Sequence, residues 1–311
     1  KRQNVEWSII STRSKSMQCT TNPMKTLWNS IQEFGRMIKF EHTIFALPFA
    51  LVSLILASGG WPRFSTLGWV LLAAIGARTA AMGFNRLVDQ KLDTLNPRTQ
   101  VRSLPARRLS RQSAWLMVVS SIVIYFVAAG SLNPLCLQLA PLVLIILLGY
   151  SYTKRFTSFC HLILGLALAC APMGAWIATT GRLEALPVLI GGGVCFWTAG
   201  FDILYALQDL EFDRSQGLHS IPARWGTEKA LYFSRFFHSI AWILWALAGS
   251  LSGLYQPMFW VGMVLIGAIL IREQWILRKG DLGRLDEAFF QLNAWIGPIY
   301  LLSLSSRLIS R

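Results

Sequence analysis

"WVLLAAIGARTAAMGFNRLVDQKLDTLNPRTQ", residues 69–100, decides the fold of this chain. Its first half is apolar enough to cross a bilayer. Its second half places Asn85, Asp89 and Asp93 at a strict spacing of four, followed by Arg98 and Arg102. Each residue of an α-helix advances about 100°, so steps of four return to nearly the same face. The stretch predicts a spanning helix over about 66–84 whose end continues towards the cytoplasm as a ladder of side-chain oxygens.

Outward from this stretch the apolar pattern recurs. The chain has 311 residues, of which 54% are hydrophobic and 14% charged, and its mean hydropathy of +0.47 lies outside the range of a domain with a solvated surface. Apolar runs near bilayer length fall at about 40–58, 66–84, 113–131, 134–152, 160–180, 186–206, 232–251, 255–271 and 291–309. The expectation is an all-α, polytopic membrane protein of nine transmembrane helices, with one membrane domain over 40–311. Residues 1–22 lack apolar periodicity and read as a disordered cytoplasmic arm without the apolar core of a signal peptide. Over 23–39, Leu27, Ile31, Phe34 and Ile38 share one face, which predicts an amphipathic helix at the cytoplasmic surface.

A net charge of +14 invites a nucleic-acid reading, but its distribution is topological. With the N-terminus in the cytoplasm, 23 Lys and Arg fall on that side and 4 on the other. This is the positive-inside bias, so the expectation is a protein of the lipid bilayer with no nucleic-acid partner. The five cysteines show no CxxC spacing and read as small buried hydrophobes, and the four histidines form no metal-ligand pattern and are assigned no metal.

Two cytoplasmic loops, about 85–112 and about 207–231, are long and charged, and function is expected there. The second, "FDILYALQDLEFDRSQG", carries Asp209 and Asp213 four apart, 120 residues after Asp89 and Asp93. This offset hints at an internal duplication. Carboxylates at the edge of hydrocarbon need partners, and two clusters on one side of the membrane suit a shared hard cation such as Mg2+. That ion binds through one or two carboxylates together with phosphate oxygens. Arg98, Arg102 and Lys154, with Arg155 beside it, could neutralise a diphosphate, and Arg78, two turns before Asn85, is an arginine inside a span. Residue chemistry thus reaches a site for a divalent cation and a lipid diphosphate, and leaves catalysis and ion-coupled transport both open.

The motifs go further. "NRLVDQKLD" has the NxxxDxxxD form, "YALQDLEFD" the YxxQDxxxD form and "YSYTKR" the YxxxKR form of the intramembrane aromatic prenyltransferases, the UbiA-type family named for 4-hydroxybenzoate polyprenyltransferase. The chain resembles that family from about Lys39 onwards. The resemblance implies nine helices around a central cavity, with Asn85, Asp89, Asp93, Asp209 and Asp213 holding a diphosphate through Mg2+. It further implies that Arg98, Arg102 and Lys154 neutralise the diphosphate, that Tyr150 and Tyr205 belong to the substrate pocket, and that Arg78 lies near the cavity. Lys39 falls where many members have arginine, which keeps the charge and loses the fork.

The implied reaction is Mg2+-dependent transfer of a polyprenyl chain from polyprenyl diphosphate to a ring carbon of an aromatic acid. The catalytic set is Asp89, Asp93, Asp209 and Asp213, in a bacterial inner membrane with the site facing the cytoplasm. The named acceptor is 4-hydroxybenzoate, for ubiquinone or menaquinone synthesis. The run Asn96-Pro97-Arg98-Thr99 departs from the usual pattern of 4-hydroxybenzoate enzymes and makes a dihydroxynaphthoate the competing acceptor.

Overall fold

The computed structural model describes residues 23–38, 45–253, 257–278 and 291–309, and these residues form helices joined by short connections. In chain order the helices are α1 (Pro23–Ile38), α2 (Leu47–Ser58), α3 (Phe64–Leu95), α4 (Arg111–Leu132), α5 (Pro134–Thr153) and α6 (Cys160–Thr180). They continue with α7 (Ala185–Ala206), α8 (Leu210–Ser215), α9 (Ile221–Leu251), α10 (Pro257–Ile276) and α11 (Asn293–Ile309). The arm expected over 1–22, and Lys39, lie outside the described residues.

Among the described residues seven helices are long and apolar enough to cross a bilayer: α3, α4, α5, α6, α7 with its continuation to Ser215, α9 and α10. Helices also occupy the first and last predicted spans, but α2 has 12 residues and α11 has 17. At 1.5 Å per residue, α2 covers about 18 Å, short of a hydrocarbon core of about 30 Å.

The two functional loops are more helical than their polarity suggests. α3 runs on to Leu95, so the Asn85–Asp89–Asp93 ladder is helical throughout and the loop proper is only 96–110. The second acidic stretch departs from a continuous ladder: the helix tightens to a 3-10 turn over Leu207–Asp209 before α8 carries Asp213. The helix that follows, α9, begins at Ile221 and is interrupted at Gly226, where φ is 80° and only glycine is comfortable.

α7 packs most extensively on α9 and α6, and α3 on α4. Small residues permit the approach: a Cβ on Gly76 would meet the α4 carbonyl oxygen of Ser121 at 2.9 Å. The main core joins Phe49, Trp197, Trp245, Phe259 and Tyr300, with Phe49 stacked on Trp245 at 5.0 Å between ring centroids.

α1 commits one face to the protein itself. Phe34 and Met37 are buried against Leu87, Leu104, Leu109, Ala114 and Val118, whereas Ile31 is exposed. Glu33 completes the attachment by accepting from Ser103 Oγ at 3.0 Å and Arg108 Nε at 3.2 Å. The loop that follows the ladder is therefore strapped to α1.

Candidate active site

The end of α3, the loop 96–110, the end of α5 and the α7–α8 junction converge on one polar cluster. Along α3, Asn85 Nδ2 donates to Asp89 Oδ2 at 3.1 Å. Asp89, 5% exposed, takes Arg155 Nη2 on Oδ1 at 3.0 Å and has Lys154 Nζ 3.7 Å from Oδ2. Both cations come from the end of α5, where the chain turns and its last side chains point back at α3. Asp93 Oδ1 is paired with Arg102 Nη1 at 2.7 Å, and Thr99 Oγ1 caps the Asp93 carbonyl at 3.1 Å.

The loop then crosses to the second motif. Asn96 Nδ2 donates to Asp209 Oδ1 at 2.8 Å, and Arg98 Nε reaches the same oxygen at 3.0 Å while its Nη2 pairs with Asp209 Oδ2. Arg98 Nη1 also donates to the Tyr205 hydroxyl at 2.9 Å, with the guanidinium over that ring. Burial alone would lower the Arg98 guanidinium, but its bonds to Asp209 and Tyr205 hold it above its ordinary value. The arginine stays charged. Asp213 is buried at α8, and Lys154 lies within electrostatic reach of Asp209 and Asp213 as well as Asp89, so one lysine faces both motifs.

A cavity of about 400 Å³ opens beside this cluster, walled mainly by apolar side chains such as Val70, Ala74, Tyr125, Leu147 and Cys170. Arg78, Met82 and Tyr150 also line it, and the Tyr150 hydroxyl sits 4.0 Å from Met82 Sδ. From Val70 to Met82 the wall follows α3 for about 18 Å. It has the size and apolar character of a site for a small lipid.

The predicted residues Asn85, Asp89, Asp93, Arg98, Arg102, Lys154, Tyr205, Asp209 and Asp213 are thus gathered in one cluster, and Arg78 and Tyr150 at the adjoining cavity. Among the described residues no three His, Cys, Asp or Glu side chains come together closely enough to cage a metal ion by themselves. The donor set nevertheless fits a cation that a phosphate helps to hold. Asp93 Oδ2 is a buried acceptor with no hydrogen-bond partner, and the four aspartates are hard oxygen ligands. Sequence reasoning missed Asn96 as a bridge between the motifs, and placed Arg155 beside Lys154 without assigning it to Asp89. Asn96 ends α3 and its turn aims the amide across the site, a consequence of tertiary folding; Arg155, beside Lys154, carried a signal that a positive-inside anchor would give equally.

The model of the UbiA prenyltransferase family matches residues 46–295. Among curated proteins, the 4-hydroxybenzoate octaprenyltransferase of Tolumonas auensis is 29% identical over 272 residues, covering 88% of this chain and 94% of that protein. Among solved structures, the apo structure of a UbiA homologue from Aeropyrum pernix K1 superposes with a TM-score of 0.78 at 35% identity, over 86% of this chain and 98% of that one. A UbiA homologue from Archaeoglobus fulgidus bound to DMAPP and Mg2+ shares the fold, with a TM-score of 0.65 at 21% identity over 88% and 99% of the two chains.

Proposed function

The chain belongs to the UbiA prenyltransferase family and is an integral membrane prenyltransferase; from that premise we propose that it transfers a polyprenyl chain from polyprenyl diphosphate to a ring carbon of 4-hydroxybenzoate, with Mg2+, in quinone biosynthesis. The transport reading left open by residue chemistry gives way to the family match. The observation that carries the proposal is Lys154, held between the Asp89 ladder and the Asp209–Asp213 motif beside an apolar cavity. An allylic diphosphate needs both halves: a polar clamp for its head and an apolar channel for its tail.

In this reading Asp89, Asp93, Asp209 and Asp213, with Asn85, hold Mg2+ and the diphosphate head. Bound there, Mg2+ would supply Lewis-acid stabilisation of the leaving diphosphate. Lys154, Arg98 and Arg102 are donors that exchange their carboxylate partners for the phosphate oxygens, leaving the carboxylates to the cation, and stabilise charge as the allylic C–O bond loosens. Tyr205 orients Arg98 from the side. Tyr150 and Arg78 meet the acceptor and the first part of the prenyl chain where cavity and cluster adjoin. The electron-rich ring carbon then forms the new C–C bond as the allylic C–O bond to the departing diphosphate breaks, and its proton passes to an anionic oxygen of the cluster, on an aspartate or on the released diphosphate.

The bacterial inner membrane, the cytoplasm-facing site, the interfacial lie of α1 and the role of Lys39 belong to the same proposal. The excess of Lys and Arg on one side supports the orientation. A dihydroxynaphthoate is the second acceptor reading, favoured by one observation: the Asn96-Pro97 step that departs from the 4-hydroxybenzoate pattern is bonded into the site through Asp209. Membranes containing the protein, a polyprenyl diphosphate, Mg2+ and each acid in turn decide the acceptor by product mass. If neither acid is prenylated, the quinone-pathway reading is wrong.

A further inference from the structure

Each of the cations around the acidic cluster described so far has a carboxylate. Arg98 is on Asp209, Arg102 on Asp93, and Lys154 and Arg155 on Asp89. Arg86 has none. It directly follows Asn85 on α3 and lies seven residues before Asp93, which puts Arg86 and Asp93 on one face of the helix. Among the described residues its side chain makes no hydrogen bond or ion pair, and its Nε is buried without a partner. Asp89, Asp93, Tyr150 and Arg102 lie within its electrostatic reach.

That arrangement is costly as it stands. A guanidinium carries five donors, and burying the Nε–H of Arg86 unmade forfeits its hydration. Arg102, a like charge, faces the same space, and Asp93 answers it with Oδ1 alone. Two guanidinium groups and an orphaned carboxylate oxygen, Asp93 Oδ2, thus lie within electrostatic reach of one another with both signs of valence open. An anion with several oxygens that brings a cation with it satisfies all of them together. A lone carboxylate would leave Asp93 Oδ2 unmet.

Location selects the same ligand. Tyr150 lines the apolar cavity and is also a neighbour of Arg86, so Arg86 stands where the cavity gives way to the acids. Arg78 is the arginine of the cavity wall itself. We propose that Arg86 is a binding residue for the donor diphosphate, gripping phosphate oxygens opposite Arg102 at the junction of head and tail. This rests on the prenyl-diphosphate reading of the cluster.

The test is binding of inorganic diphosphate with Mg2+ to the purified full chain in lipid nanodiscs by calorimetry, with wild type, Arg86→Gln and Arg86→Lys. KM is measured separately for donor and acceptor. Losing a charged hydrogen-bonding group predicts affinity for diphosphate weakened about 10- to 100-fold in Arg86→Gln, a matching rise in donor KM and an unchanged acceptor KM. Arg86→Lys recovers part of the loss, since it restores charge without the fork. Should Arg86→Gln fail to fold, Arg86→Lys decides alone through a smaller loss of diphosphate affinity. Wild-type affinity in the variants overturns the proposal, and so does a rise in acceptor KM with diphosphate binding intact, which would assign Arg86 to the acceptor's carboxylate. A wild-type protein that binds no diphosphate sinks the reading of the whole cluster, and the proposal with it.

Discussion

Asn96 donates its side-chain amide to Asp209 at 2.8 Å, joining the two acidic motifs across 113 positions of the chain. The bond also has a second half, because Asn96 Oδ1 accepts from the Arg98 backbone N–H at 2.9 Å and so presents Arg98 to the same aspartate. Asn96→Ala loses both contacts. It is expected to lower kcat/KM by about tenfold, the scale of one hydrogen bond to a charged group, in a prenyl-transfer assay on membranes. Unchanged kinetics would mean that the two motifs are held together by Arg98 alone.

Asp89→Ala and Asp209→Ala should each abolish Mg2+-dependent transfer, while the protein still inserts and is recovered in membranes in normal amount. Asp89→Ala also strands Lys154 and Arg155 without their acid, so a loss of stability of about 1–3 kcal/mol accompanies the loss of activity. Full activity in either variant would remove the two-motif site.

Glu33 gives the strap between α1 and the loop 96–110 a pH dependence. Burial pushes its carboxyl up, but hydrogen bonds from Ser103, Arg108 and Arg36 outweigh that and hold it below its ordinary value near 4.5. A depressed folded value means that the stabilisation is present above the unfolded value and is lost as pH falls through the folded one. Limited proteolysis of the loop should therefore accelerate below about pH 4.5. Glu33→Gln should cut at the acid-state rate already at pH 7, and equal rates for variant and wild type at pH 7 would discard the strap.

Asn293 lies between two other buried groups: it accepts from Trp197 Nε1 at 2.6 Å and donates to Glu273 Oε1 at 2.8 Å. Asn293→Ala leaves both without that partner among α7, α10 and α11. A loss of about 2–5 kcal/mol is expected, read as a lower unfolding midpoint in detergent with no change in the KM for donor. Asn293→Asp retains the acceptor for Trp197 but sets a second acid beside Glu273, and should be no better.

Gly76→Leu drives a side chain into the α4 backbone at Ser121 and Tyr125. The α3–α4 pair must separate, and α3 carries the acidic ladder. The variant is expected to lose activity and thermal stability together, whereas Gly68→Leu, at a position with open space around its Cβ, should lose neither.

The helical class and the chemistry of the acids were legible because period and charge are local properties of the chain. Asn85, Asp89 and Asp93 at steps of four continue an apolar run of spanning length, and together these read as one face of a helix. The 3-10 turn that ends at Asp209 was not legible, since nothing in "LQDLEFD" forbids a continuous α-helix; in the folded chain Asp209 at its end is bonded to Arg98 and Asn96. The same limit applies to α9, whose first turns are polar enough to resemble a loop and are ordered by packing. Arg86 shows the opposite difficulty: its identity was plain in the sequence, but only the folded site reveals which basic residue lacks an acid.

On the proposed reading of the cluster, its ion pairs also have a role between catalytic events. Arg98 on Asp209, Arg102 on Asp93 and Lys154 near Asp89 would then be stand-ins for one another's ligands, the cations for Mg2+ and the carboxylates for phosphate. With no ligand bound, these charges in a low-dielectric setting keep their counter-ions. Substrate arrival would then be an exchange of partners, and product departure would let the resident pairs close again behind it.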